Sequence, residues 1–414
     1  MERKGKLMKY RKRTAALLLT LLFCMGLTAC GEERPEGGGD NGQTWVGANE
    51  NAGAFSDQGY YYLPTNQQSN LSYLDISTGL TTVLCSKAGC QHNSEEVCEA
   101  FVIPSSVFGE GGMCFWNDSL YYLSLTGYGI DLVRRNATGT DMAVIGTLGD
   151  KYIADQKSVQ TKVFAQVAHF WYYYAEVDGS VWNENAQQYE SKQVLSYISR
   201  IDLRTGKEEI LIEETDTLNF YAAKNDAVLF STLKRPDADI LDRDAYREQL
   251  AECPVVLKRW DAQTGQVTTL LEKAHSEFTG LQGVFDGKLY YYGTVDFKTN
   301  LYIYDLETGE DALLADRESM WFWSGGYAYC RDQETNGDWY ILELKSGKKL
   351  PNEIETGSIR FTSGSDHGCI LALTVQPGDG SPKEHRMCYV SYAALADGLQ
   401  EADLMNFYTW RNSV

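Results

Sequence analysis

Several chemistries leave no local signal in this chain. It has no Gly-x-Ser-x-Gly elbow, no His-Glu-x-x-His pair, no Gly-x-x-x-x-Gly-Lys phosphate cradle and no dinucleotide fingerprint. Its histidines number five, His92, His169, His275, His367 and His385, and none pairs with another at short range. A catalytic triad would have to be assembled from distant loops. Basic patches are missing as well, with 37 Lys and Arg against 57 Asp and Glu and a net charge of −20. That field repels phosphate backbones and anionic headgroups, which argues against nucleic acid as a partner and against electrostatic adhesion to a membrane.

The N-terminus supplies an address. Residues 2–13 hold seven Lys or Arg and one Glu, Thr14 to Met25 are largely apolar, and Leu27-Thr28-Ala29-Cys30 closes the segment. Charged, apolar and small-residue zones in that order predict a secretory signal over residues 1–29, with an apolar zone too short to span a bilayer. The quartet resembles the bacterial lipobox at all four positions. That resemblance implies that Cys30 becomes the lipid-modified mature N-terminus, anchored on the extracytoplasmic face of the cell membrane. Without residues 1–29 the chain keeps 30 basic and 56 acidic side chains, a net charge of −26, so the lipid has to do the anchoring. Gly31 to Gln43 are mostly Gly, Glu, Pro and Asp and predict a flexible stalk over residues 30–43.

Residues 44–414 repeat a cassette. Aromatic or aliphatic strand signals fall at Tyr60–Tyr62, Leu120–Tyr122, Trp171–Tyr174, Val228–Phe230, Leu289–Tyr292, Tyr327–Cys330 and Cys369–Leu371. Between them recur Asp75-Ile-Ser-Thr78-Gly79, Asp202-Leu-Arg-Thr205-Gly206, Asp261-Ala-Gln-Thr264-Gly265 and Asp305-Leu-Glu-Thr308-Gly309. Looser copies stand at Arg135 to Gly139 and Glu343 to Gly347. Asp can bond the backbone two residues on and Gly supplies positive φ, so the cassette is hairpin chemistry rather than a site. A four-strand unit repeating this way predicts an all-β fold, a single β-propeller of seven blades, with six or eight also compatible. Ring closure is expected from a terminal strand, Thr44–Gly47 or Leu404–Trp410, pairing into the blade at the other terminus. Two insertions break the rhythm: a polar loop at Ser180–Lys192 and a short amphipathic helix near residues 237–253, with Leu241, Ala245 and Leu250 toward one face.

One constellation carries metal-type chemistry. Cys85, Cys90, His92 and Cys98 fall within fourteen residues. Three thiolates and an imidazole form the ligand set of a structural zinc site, or of a site for another soft metal. An oxidising compartment favours a disulfide instead, and the eight cysteines after Cys30 could pair in full. Disulfide, metal and free thiols all stay open at this stage, and bracing of a loop is expected over catalysis. Cys330 and Cys369 occupy matching positions in neighbouring blades and read as small core residues.

The lipobox, the stalk and blades of Tyr-Tyr-Tyr followed by Asp-x-x-Thr-Gly resemble uncharacterised bacterial surface lipoproteins with a TolB-like β-propeller. The Cys85, Cys90, His92, Cys98 loop is similar to an N-terminal Cys-His loop in some of them. The resemblance implies a fold and a location and no reaction. Asp261-Ala-Gln-Thr264-Gly265 also resembles the repeats of quinoprotein propellers, but most repeats here lack the docking Trp that closes those repeats. Two functional classes follow. One is a ligand-binding or protein-interaction scaffold, using aromatic faces for a surface glycan or peptide. The other is a propeller enzyme, a hydrolase, lyase or quinoprotein, with a site on the central axis. The binding scaffold is the preferred expectation, with no catalytic residue and no cofactor assigned beyond a metal at the Cys-His cluster.

Overall fold

A computed structural model describes residues 44–411, apart from 49–52, 65–69, 94–97, 102–111, 127–128, 154–157, 179–180, 184–187, 191–194, 235, 237–242, 296–297, 317, 333–338, 355–357 and 376–382. The signal segment, Cys30 and the stalk lie outside the described residues. Seven four-stranded antiparallel meanders follow one another along the chain, and together they form a seven-bladed β-propeller. Each blade runs from strand A at the axis to strand D at the rim.

All seven sequence signals fall on strand B. The B strands are Gly59–Tyr62, Ser119–Thr126, Phe170–Asp178, Ala227–Leu233, Lys288–Val295, Tyr327–Asp332 and Gly368–Val375. Strand B is hydrogen-bonded on both edges and covered on both faces by neighbouring blades, so it takes aromatic and aliphatic residues in unbroken runs. Tyr60, Tyr172, Tyr173 and Tyr291 are buried there. These tyrosines pack the blades; they are not an exposed stacking surface.

Closure is legible in the core. Seven apolar clusters occupy the seven seams between blades. An open row of seven blades would have one seam fewer. The seam that seals the ring joins Tyr60, Tyr62 and Leu74 of blade one to Ile370, Met387 and Tyr389 of blade seven. Phe407 meets the Tyr62 ring edge-on at 5.0 Å.

Strand exchange between the termini, expected from the sequence, does not occur. Blade one uses only residues 53–83 and blade seven only residues 358–411, with Met405–Arg411 as its own strand D. Packing at the seam replaces the shared strand. The strand Val46–Gly47 instead adds to the inner edge of blade four, with Val46 opposite Ala223 and Gly47 opposite Ala222 in strand A, Thr217–Lys224.

The Asp cassettes form the C–D turns. Asp75 accepts the backbone N–H of Ser77 at 2.8 Å, and Asp261 and Asp305 do the same with Gln263 and Glu307. Gly79, Gly206, Gly265 and Gly309 have φ between 66° and 75°, the region that favours glycine. In blade two Asn136 stands at the end of strand C and closes the turn differently, its Oδ1 accepting from Thr140 N four residues on at 2.9 Å. Blade seven lacks the cassette because its C–D connection is longer and carries a short helix, Tyr392–Leu395, and a 3-10 turn, Glu401–Asp403.

The insertions differ from one another. Within residues 180–192 the chain forms a two-stranded hairpin, Val181–Asn183 with Gln188–Glu190, rather than an irregular loop. Helix α1 spans Asp150–Ile153, α2 spans Arg243–Glu252 and α3 spans Tyr392–Leu395; the 3-10 turn is Glu401–Asp403. Helix α2 is the amphipathic insertion, with Ala245, Tyr246 and Leu250 half-buried, while Leu241 lies outside the described residues.

A meander places its A–B and C–D turns at one end and its B–C and D–A connections at the other. Tight turns such as Asn117-Asp118, Asn225-Asp226 and the Asp-Gly cassettes therefore share one face of the ring. The Cys-His loop (D–A), α1 (D–A), the 181–190 hairpin (B–C) and α2 (B–C) share the opposite face.

Candidate metal centre

Strand D of blade one ends at Val83, and the loop that carries the cluster begins there. The loop is fixed at both ends to the start of strand C: Leu84 N donates to Leu71 O at 2.9 Å, and Leu71 N donates to Ala100 O at 2.8 Å. Asn70 and Phe101 add an isolated bridge. Between these ties a turn closes from Lys87 O to Cys90 N, with Gly89 at φ 74°. His92 also takes a left-handed backbone, φ 53°, held by Asn70 Nδ2 donating to its carbonyl at 2.8 Å. Positive φ is costly for a β-substituted residue and turns the imidazole back into the loop.

The result is convergence. Sγ of Cys85, Cys90 and Cys98 and a ring nitrogen of His92 all lie within 4.8 Å of one another. His92 Nδ1 sits 3.2 Å from Cys98 Sγ. Ligands on a tetrahedral zinc, with Zn–S of ~2.3 Å and Zn–N of ~2.0 Å, are separated by roughly 3.5–3.8 Å, so the four groups fit such an ion. Cys98 is buried and the other three are half-buried, so one side of the cluster faces the blade and the other the solvent.

The electrostatics agree with a shared cation. Burial pushes the Cys85 thiol up, but backbone N–H groups of Lys87 and Glu99 and the thiols of Cys90 and Cys98 outweigh it, and the net shift is downward. Burial raises the Cys98 thiol, and the neighbouring thiols add to that rise although the Ala100 N–H opposes it. A first thiolate is thus favoured and a further one is penalised. A bound cation removes that penalty, because it makes each added negative charge attractive rather than repulsive.

The eight described cysteines are all free thiols here, with no S–S bond among them. Three cysteines also cannot pair off among themselves. Cys114 would be the next partner in sequence, but it is buried in the seam between blades two and three. Cys330 and Cys369 lie in different seams, blades five–six and six–seven, as core residues.

Asn70 is the residue that sequence reading missed. It holds His92 by its amide nitrogen, and its Oδ1 stands 3.7 Å from Cys98 Sγ. It precedes Cys85 by a whole strand pair, so no local spacing points to it. The amide donors could have been found: Lys87 and Ala100 each lie two residues after a cysteine, where a turn brings an N–H back to sulfur.

No protein-family profile matches the chain, and no curated protein matches it in sequence. Solved structures do match in shape. The puromycin hydrolase S511A mutant complexed with PGG superposes with a TM-score of 0.56 at 9% identity, covering 90% of this chain and 55% of that one. A puromycin-hydrolysing peptidase of Mycobacterium tuberculosis gives a TM-score of 0.54 at 8% identity, covering 85% of this chain and 54% of that one. The chain thus spans about half the length of these enzymes. A putative TolB from Agrobacterium tumefaciens matches at a TM-score of 0.33 and 11% identity, over 66% of this chain and 85% of that one. At these identities the likeness concerns the fold, and the fold is that of a β-propeller protein.

Proposed function

We propose that this protein is a lipid-anchored extracytoplasmic lipoprotein whose propeller is a rigid binding scaffold for a surface glycan or a peptide. The observation that carries this reading is the division of the two faces. Long connections, a hairpin, α2 and the Cys-His loop gather on one side, while the other is trimmed to tight turns in six blades. Variable loops on a rigid support are the usual construction of recognition surfaces. A metal at Cys85, Cys90, His92 and Cys98, zinc or another soft ion, would stiffen one of those loops and lower the entropy lost on binding. An open cleft of about 540 Å³ lies beside α2 on the same face, lined in part by Lys234, Glu248, Glu252 and Cys253. The lipobox at Leu27–Cys30 supports the anchor, and the acidic body supports an anchor made by lipid rather than by charge.

The test is a glycan and peptide array probed with the full mature chain, beside a variant with residues 181–190 replaced by a short Gly-Ser turn. Binding lost in the variant at unchanged melting temperature supports the reading. A ligand that binds both proteins equally, or turnover of an arrayed compound, counts against it.

A further inference from the structure

Strand C of blade two, Gly129–Asn136, carries a buried cation near its end. Arg135 is 3% exposed, and it shares one face of the blade with Tyr122 of strand B, Val133 of its own strand and Met142 of strand D. That face packs into the seam with blade one, where Tyr122 and Val133 lie in one apolar cluster with Cys98 and Leu84. The guanidinium is poorly matched there. Arg135 Nε donates to the Tyr122 hydroxyl at 2.9 Å, and Nη2 donates to Met142 Sδ at 3.2 Å. Nη1 is buried with no partner, and among the described residues no carboxylate forms an ion pair with this side chain. A buried charge met only by a phenol and a thioether is costly, because sulfur is a weak acceptor. Met142 itself is 58% exposed, and the Tyr122 hydroxyl also donates to its sulfur at 3.7 Å. Met113 and Met387, by contrast, are buried and Met405 is half-buried.

We infer that Met142 is an oxidation site whose sulfoxide is received by Arg135, so that a peroxide-class oxidant tightens the seam between blades one and two instead of loosening it. In the step, a lone pair of the sulfur attacks one oxygen of hydrogen peroxide; the S–O bond forms and the O–O bond breaks. Sulfur gives up two electrons and the peroxide is reduced. The proton of the transferred oxygen passes to the departing hydroxide, which leaves as water. Met142 is open to the oxidant from solvent, whereas oxidation of Met113 or Met387 would put a polar group into an apolar seam. The product changes the acceptor and not its place. A sulfoxide oxygen carries partial negative charge, and here it meets a cation with a nitrogen still to satisfy. Methionine oxidation disrupts packing in cores, but this side chain is mostly in solvent and the new dipole has a charged partner. Neither the lipid anchor nor the metal takes part.

The test treats the full mature chain with hydrogen peroxide in steps and maps each methionine by peptide mass spectrometry. Met142 should gain one oxygen roughly tenfold or more ahead of Met113 and Met387. Tm should then rise by about 2–4 °C, the shift that one charge-assisted hydrogen bond makes in a chain of this size. Methionine sulfoxide reductases should reverse the rise. Met142→Leu treated identically should show no rise, and since its thiols meet the same oxidant, cysteine oxidation cancels in the comparison. Met142→Gln, which sets an amide oxygen near the same place, should be more stable than Met142→Leu with no oxidant present. A Tm that falls or stays level as Met142 is converted overturns the inference, as does Met142 oxidising no faster than Met113 or Met387. An equal rise in Met142→Leu overturns it too, because the effect would then lie elsewhere in the chain. So does a Met142→Gln variant no more stable than Met142→Leu.

Discussion

Stripping the Cys-His cluster of metal should loosen the first loop of the ring by a predictable amount. An ion held at a free concentration 1,000-fold above its Kd stabilises the folded chain by about 4 kcal/mol, and at 100-fold by about 2.7 kcal/mol. In domains of 150–250 residues 1 kcal/mol moves Tm by roughly 2–4 °C, and less in larger ones. For residues 44–414 the unfolding entropy is about 0.8 kcal/mol per kelvin, so the loss on chelation should be about 3–5 °C. Elemental analysis of the purified full chain should give one metal ion per protein. Thiol labelling then reads the site directly. In the metal-loaded protein Cys85, Cys90 and Cys98 are protected, and chelation exposes Cys85 and Cys90 first because Cys98 is the buried one. Half-buried Cys253 labels throughout, and buried Cys114, Cys330, Cys369 and Cys388 label only on unfolding, so the other cysteines report whether the fold is intact. Cys98→Ser should lower metal occupancy at least tenfold, and affinity for the ion should fall with pH as the ligands take up protons. Full labelling of all three cysteines in a native, metal-free sample with unchanged Tm would refute the reasoning. So would a stoichiometric 2 Da mass deficit that places a disulfide in the loop.

Ile370→Ala, at the seam between blades seven and one, should cost about 2–5 kcal/mol in a denaturant titration, against roughly 0.5–1.5 kcal/mol for Ile370→Val; a cost near zero would mean the seam is not packed as described. Gly265→Ala should lose about 1 kcal/mol, since φ is 66° but the added Cβ meets nothing within 4 Å. Gly206→Ala should lose several times more, because its Cβ would lie 2.0 Å from the Ile145 backbone oxygen; equal losses would refute the contact. Asp75, Asp261 and Asp305 are held below the usual carboxylate value, chiefly by the Ser77 hydroxyl for the first and by the backbone N–H groups of Thr264 and Thr308 for the others. A depressed folded value contributes stability above the unfolded value of about 4, and that contribution is lost as pH falls through the folded value. Asp→Asn at all three positions should flatten the stability–pH curve below about pH 4, and an unchanged slope would show the turns to be indifferent to charge.

The blade count was legible because strand B is the one strand in each unit with no solvent face, and it writes itself as Tyr-Tyr-Tyr or Cys-Ile-Leu. The C–D turns were legible because positive φ leaves few choices beyond Gly, with Asp or Asn to fold the side chain back. Closure was not. The pairs that seal the ring, such as Tyr62 with Phe407, are more than three hundred residues apart, and apolar packing leaves no spacing to read. The placement of Val46–Gly47 was equally hidden, because an edge pairing of two residues depends on an open backbone edge and not on side-chain identity. At the candidate metal centre the four ligands were visible as a group, whereas Asn70 and the amide donors belong to the way the loop folds onto strand C. The hairpin of Val181–Asn183 with Gln188–Glu190 was not legible, since polar residues with few β-branched neighbours carry little strand signal.

The two faces differ in how much change they can absorb, and this bears on where recognition can evolve. On the tight-turn side some glycines touch neighbouring elements: a Cβ at Gly139 would lie 2.9 Å from the Leu84 side chain, one at Gly326 2.5 Å from the Phe285 ring, and one at Gly325 1.9 Å from the Tyr392 ring, while one at Gly265, Gly287 or Gly347 would meet nothing within 4 Å. An insertion at those turns would press on the neighbouring blade, whereas the C–D connection of blade seven, on the same side, already carries α3 and the 3-10 turn. The B–C and D–A connections leave from strand ends without that constraint, as the independent hairpin at 181–190 and the ten-residue α2 demonstrate. Six blades are therefore trimmed on the tight-turn side, and the long connections other than that of blade seven gather on the opposite side. A ligand-binding role built by loop variation would draw chiefly on that opposite side.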